Sequence, residues 1–141
     1  MRFPRLFGLL LLGLAFGRTA AQAPCGDRYL DDLFGSVTET SDLVYGQNIN
    51  VAGVPETLTL DVYTPDGDTA ARRKLIVLAH GGFFFTGSKD DADIDGLCEA
   101  FARKGYVCAS INYRKGWTGL IPDSVQMGRA LIRAVQDAKA A

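Results

Sequence analysis

The sequence is poor in the residues that usually announce chemistry. Its 141 residues include one histidine, His80, one tryptophan, Trp117, and three cysteines, Cys25, Cys98 and Cys108. The cysteine spacing fits no zinc pattern and the imidazole has no cysteine near it in sequence, so no metal site is expected. There is no G-x-x-x-x-G-K-S/T and no G-x-G-x-x-G, the common phosphate-cradling loops. The net charge is only −1 and the basic residues are scattered. Their one cluster, Arg72-Arg73-Lys74, reads as a solvated loop before a strand. A nucleic-acid partner would need a basic stripe, and none is expected. The longest apolar run, 6–16, has 11 residues, too short to span a bilayer. No block is polar or repetitive enough for disorder, and the length allows one domain at most.

The first residues carry an export pattern. Arg2 and Arg5 precede the apolar run, and small residues follow it, as in a secretory signal peptide. Cleavage is expected after Ala21, with Thr19 and Ala21 at the two small-residue positions. The mature chain 22–141 then keeps 12 basic against 16 acidic residues, and is expected to be secreted or periplasmic. Export makes disulfides possible. Cys108 lies inside an apolar strand, so it reads as an inert thiol. Cys25 and Cys98 read as nearer the surface, which makes them the expected pair.

Residues 25–42 read as an extended lead-in with polar turns, and 43–50 as a short strand with a glycine break. In 57–65, Leu58, Leu60 and Val62 alternate with Thr59 and Asp61, the period of a half-buried strand. LIVLA, 75–79, has no alternation and reads as a strand buried on both faces. A helix is expected over 91–104, with Ile94, Leu97, Cys98, Phe101 and Ala102 on one face and Gly105 as its stop. Residues 106–113 read as another buried strand. A loop with Trp117 follows over 114–121. Asp123 then caps a second helix, with Gln126 placed as in a capping box. Val125, Gly128, Leu131, Ile132 and Val135 are its expected buried face.

Strands alternating with helices after an initial antiparallel pair predict an open α/β sheet, mostly parallel, with helices on both faces. Two helices are few for covering both faces, and the last strand would keep an exposed apolar edge. The chain is therefore expected to be the N-terminal part of a larger domain.

The stretch LIVLAHGGFFFTGS, 75–88, holds the densest chemical signal. Active sites of open α/β sheets gather at the carboxyl ends of strands, where His80-Gly81-Gly82 falls. Glycine lets a ligand approach main-chain N–H groups, and two such groups aimed at one point stabilise an oxyanion. These residues alone fit equally a tight strand-to-helix turn with a satisfied histidine.

Together with LTLDVYTP (58–65), LCEAFARKGYVCASINYR (97–114) and ALIRAVQDAKAA (130–141), the stretch resembles the α/β-hydrolase family. The resemblance is to its secreted carboxylesterase and lipase-like branch, near bacterial feruloyl and acetyl-xylan esterases. It implies that the Gly82 and Phe83 N–H groups form the oxyanion hole, with His80 and Gly81 supporting the loop. Phe84 and Phe85 would wall an acyl pocket. It implies a small-molecule or polysaccharide-linked ester substrate and no cofactor. A serine nucleophile would need G-x-S-x-G, then an acid and a histidine. None of Ser36, Ser41, Ser88, Ser110 and Ser124 fits that pattern, and there is no second histidine. No catalytic triad residue is therefore assigned, and the chain alone is expected to be inactive. The alternatives are a serine peptidase of the same fold, or a non-catalytic exported binding protein using Tyr113, Trp117 and the phenylalanines.

Overall fold

The computed structural model describes residues 26–119 and 121–141. The expected leader 1–21, its cleavage position and Cys25 lie outside the described residues. The elements run β1 (Val37–Ile49), β2 (Pro55–Pro65), β3 (Leu75–Ala79), α1 (Ala92–Arg103), β4 (Val107–Ile111) and α2 (Ser124–Ala140). They build one mixed sheet in the order β1-β2-β4-β3. β1 and β2 pair antiparallel from Val37↔Pro65 to Ile49↔Pro55. β4 pairs antiparallel with β2 (Leu60↔Ile111) and parallel with β3 (Leu75↔Val107 to Ala79↔Ile111). The expected open α/β sheet is therefore present, with β3–α1–β4 as its parallel crossover unit.

Alternation divides the two faces. Tyr63 of β2 and Cys108 of β4 are register partners and lie beneath α1, packed with Cys98 and Ala102. Ile76, Leu78 and Phe101 surround that cluster. Leu60, Ile111 and Ala79 point to the opposite side. There Ala79 shares a cavity with Ala134, Val135 and Ala138, which places α2 on that face. Gly105, at φ 90°, ends α1 as expected, accepting no side-chain penalty in the left-handed region.

Several expectations need correction. β1 begins at Val37, inside the segment read as a lead-in, and its register shifts between Thr40 and Leu43 and between Val44 and Gly46. Those bulges bend the strand and hide its period from the sequence. β3 is not buried on both faces: Leu75 and Val77, on the α2 side, are exposed. The open apolar edge belongs to β3 rather than to the last strand, because β4 inserts between β2 and β3. Asp61 does not face solvent but is 1% exposed.

The buried face of α2 is also different. Ala130, Ala134 and Asp137 are buried, while Val125, Leu131, Ile132 and Val135 are exposed. Small alanines allow close approach, and Asp137 meets Arg114 in a buried ion pair. Its carboxylate takes the Arg114 backbone N–H at 2.9 Å, Nε at 2.9 Å and Nη2 at 2.7 Å. The Arg114 Nη1 reaches the Ile49 carbonyl at 3.0 Å, so this pair joins β1, β4 and α2. At the other end of α2, Asp123 accepts from the Gln126 N–H at 2.8 Å, but the Gln126 side chain turns to Thr118 instead of completing a capping box.

Cys98 is not near the surface. It is fully buried against Cys108, and its thiol is pushed up by hydrogen bonding to Cys108 and by burial. Cys108 is buried as expected.

Candidate active site

The parallel strands β3 and β4 both deliver their carboxyl ends to one rim. β3 stops at Ala79, and His80 begins the turn toward α1. Its ring is 3% exposed and stacks on Tyr113, with centroids 4.3 Å apart and planes at 14°. The Tyr113 hydroxyl donates to the His80 carbonyl at 2.8 Å. The imidazole Nδ1 lies 2.8 Å from the Gly81 carbonyl. A carbonyl only accepts, so Nδ1 carries the proton and Nε2 keeps a lone pair. That Nε2 is buried and has no hydrogen-bond partner among the described residues. Burial lowers the pKa of the ring, outweighing the opposing effect of the Gly81 carbonyl. The histidine is thus neutral near pH 7. Among the described residues, no serine hydroxyl is hydrogen-bonded to it.

The loop beyond His80 is wound tightly. The Gly82 carbonyl accepts from the Phe85 N–H at 3.0 Å and the Thr86 N–H at 3.1 Å. Gly82, Phe83 and Phe84 have φ of 105°, 56° and 62°. Two successive phenylalanines in the left-handed region are costly, on the order of 1–2 kcal/mol each. Such strain persists only where surrounding contacts hold it. Here the Phe84 carbonyl accepts from the Gly116 N–H at 2.7 Å, and the Lys115 ammonium donates to the Gly87 carbonyl. The loop is therefore clamped to the segment after β4. Among the described residues, the N–H groups of Gly82 and Phe83 donate to no backbone carbonyl.

Gly82 and Gly87 are glycines for steric reasons. A Cβ on Gly82 would collide with the Thr86 carbonyl. A Cβ on Gly87, at φ 94°, would strike His80 Nδ1 and approach the Gly81 carbonyl at 2.6 Å.

The aromatic residues separate. Phe84 meets Tyr113 edge-on at 6.0 Å and walls a largely apolar cavity with Ala79, His80, Ala134, Val135 and Ala138. Phe85 lies instead on Trp117, with centroids 4.6 Å apart. The Phe83 side chain is 82% exposed. The structure thus brings His80, Gly81, Gly82, Phe83 and Phe84 to one rim, and sends Phe85, expected beside Phe84 in the acyl pocket, to a neighbouring wall.

Two supports escaped the sequence. Lys89 is 3% exposed and pairs with Asp61 at 2.8 Å, Asp90 at 2.6 Å and Asp42 at 3.0 Å. Burial pushes its pKa down, but the three carboxylates outweigh that and hold it raised. Its carbonyl accepts from the buried Ser110 hydroxyl at 2.7 Å. Lys89 therefore pins the far end of the loop to β2 and β4. A lysine in a polar loop gives no such signal; only the inward-facing Asp61 could have raised it. The Tyr113–His80 stack is the second support, joining two strand ends that periodicity treats separately. Among the described residues, no group of three or more His, Cys, Asp or Glu side chains could hold a metal. No helix there is long and apolar enough to cross a membrane.

A family model described as BD-FAE matches residues 60–141, which include the whole loop. Several solved structures are similar in fold. Esterase B from Lactobacillus rhamnosis is 23% identical over 80% of this chain and 34% of its own, with a TM-score of 0.45. Brefeldin A esterase, a bacterial homologue of human hormone-sensitive lipase, is 23% identical over 84% and 30%, with a TM-score of 0.42. A bacterial heroin esterase is 25% identical over 67% and 27%, with a TM-score of 0.41. The chain spans about a third of the length of these structures.

Proposed function

The chain belongs to the BD-FAE family, α/β-hydrolases of the carboxylic-ester hydrolase kind, and we propose that its 80–87 loop is an oxyanion hole in the complete protein. The observation that carries this reading is the backbone of Gly82 and Phe83, held in the left-handed region with both N–H groups free of backbone partners. In the complete protein a serine, supplied from outside these residues, attacks the ester carbonyl. The carbonyl oxygen takes up the negative charge and accepts from both N–H groups. The tetrahedral intermediate then collapses and expels the alcohol, and water releases the acid from the acyl-enzyme. One such donor contributes about 3–4 kcal/mol to the transition state.

His80 does not serve as the base in this reading. Its only protonated nitrogen is committed to Gly81, and it holds the loop while Tyr113 holds it. The apolar cavity beside Phe84, about 300 Å³, suits the acyl part of a small ester. Residues 22–141 are then the N-terminal part of the hydrolase domain. The bare outer edge of β3 and the exposed Leu75 and Val77 are where the rest of the sheet and its covering helix would pack. The leader 1–21 would export the protein, and the mature N-terminus would be Gln22.

The test compares p-nitrophenyl acetate with a peptide p-nitroanilide on the complete protein. Preference for the ester supports this assignment. Cleavage of the anilide alone would favour the peptidase, and neither reaction would leave only a binding role.

A further inference from the structure

A second recess, of about 270 Å³, lies beside the candidate site. Its walls come from Asn50 and Val51 at the β1–β2 turn, Trp117 after β4, and Gln126, Arg129 and Arg133 of α2. Three buried polar atoms in these walls have no hydrogen-bond partner among the described residues: Trp117 Nε1, Gln126 Oε1 and Arg133 Nε. Each such atom costs folding free energy unless something satisfies it.

The free atoms are held in place by their neighbours. Gln126 donates through Nε2 to the Thr118 hydroxyl at 2.8 Å, which leaves Oε1 as an acceptor. Arg133 donates through Nη2 to the Gly116 carbonyl at 2.6 Å, which leaves Nε as a donor. The Trp117 ring is fixed by its stack on Phe85, which leaves Nε1–H as a donor. Arg129 and Arg133 are four residues apart on α2 and so share a face. Neither guanidinium has an ion pair among the described residues, and no carboxylate lines the recess.

We propose that this recess binds a small hydroxylated carboxylate, of the chemical class of a sugar acid. The two guanidiniums receive the carboxylate, for which their planar forks are matched. A ligand that displaces what covers these buried atoms lets Gln126 Oε1 accept from its hydroxyl and Trp117 Nε1 donate to its oxygen. A neutral sugar would leave both cations unpaired. A phosphate seated on the N-terminus of α2 would want its backbone N–H groups, yet Asp123 already takes that of Gln126. The recess wall touches the 80–87 loop through the Phe85–Trp117 stack, but no residue of the loop lines the recess, so occupancy does not depend on ester hydrolysis.

The test is a calorimetric titration of the complete protein, at fixed ionic strength, with glucuronate, glucose and inorganic phosphate. In parallel, the Trp117 indole N–H is followed by NMR and assigned through its loss in Trp117→Phe. Glucuronate is expected to bind with a Kd on the order of 1 mM and to move the Trp117 signal. Glucose and phosphate are each expected to bind at least tenfold more weakly. Arg133→Met is expected to weaken glucuronate at least tenfold, and the exposed Arg129→Ala at least threefold with the fold unaffected. The proposal is overturned if glucose or phosphate matches glucuronate, or if both variants titrate like the parent.

Discussion

Gly87→Ala tests the packing of the loop at its tightest point. The residue sits at φ 94°, so any Cβ begins with a left-handed penalty of about 1–2 kcal/mol. The added methyl would also meet His80 Nδ1, the Gly81 carbonyl at 2.6 Å and Asp91 Oδ2 at 3.0 Å. The imidazole has nowhere to retreat. One face is stacked on Tyr113, and its Nδ1–H is bound to the very carbonyl the methyl approaches. The loop must therefore move, and Gly82 and Phe83 move with it. Losing the alignment of one oxyanion donor costs about 3–4 kcal/mol, or roughly 10²–10³ in kcat. The assay is steady-state hydrolysis of p-nitrophenyl acetate by the complete protein, with thermal unfolding recorded alongside. Gly96→Ala in α1 is the control, since a Cβ there meets nothing within 4 Å. It should leave kcat unchanged and add about 0.5–1 kcal/mol of stability. A Gly87→Ala protein that keeps kcat within about threefold would refute the argument, because the change demanded of the loop is larger than that.

Three further outcomes follow from the same geometry. Phe83→Gly should retain esterase activity, because the donor is backbone, and should gain about 1 kcal/mol by relieving the φ of 56°; a large loss of kcat would assign the work to the side chain. Asp137→Ala strands the buried Arg114 guanidinium and should cost about 3–5 kcal/mol in urea unfolding. Replacing both partners (Arg114→Met with Asp137→Leu) should recover most of that loss, and failure to do so would deny that the stranded charge is the cause. His80 has a folded pKa below its unfolded value, so the folded state prefers it neutral. Its contribution is complete above pH ~6.5 and is lost as pH falls through the folded pKa. Melting curves should show that loss in the parent and not in His80→Gln.

Much of the sheet was legible because its segments obey simple rules. LIVLA and VCASI are short apolar runs, and the helix between them has a clear period and a glycine stop, so β3, α1 and β4 emerge from the sequence. The buried face of α2 was not legible. Its large apolar residues Val125, Leu131 and Val135 suggested a buried stripe, whereas the helix docks through Ala130, Ala134 and the charge of Asp137. A carboxylate enters a core only with a partner, and that partner, Arg114, is 23 residues away in sequence. Asp61 and Lys89 repeat the lesson, 28 residues apart. Each reads as a surface residue until the other is seen. For the loop, HGG marked the position, but no residue pattern could show that Phe83 and Phe84 both adopt positive φ, or that Gly116 holds Phe84 and Lys115 holds Gly87.

In the complete protein, the Gly82 and Phe83 nitrogens are proposed to hold an oxyanion. The most direct test is a crystal structure of the complete protein inhibited by a small phosphonate ester, which mimics the tetrahedral intermediate. The phosphonyl oxygen is expected about 2.7–3.1 Å from both the Gly82 and the Phe83 backbone nitrogens. A phosphonyl oxygen bound by other donors, with these two nitrogens beyond hydrogen-bonding distance, would contradict it.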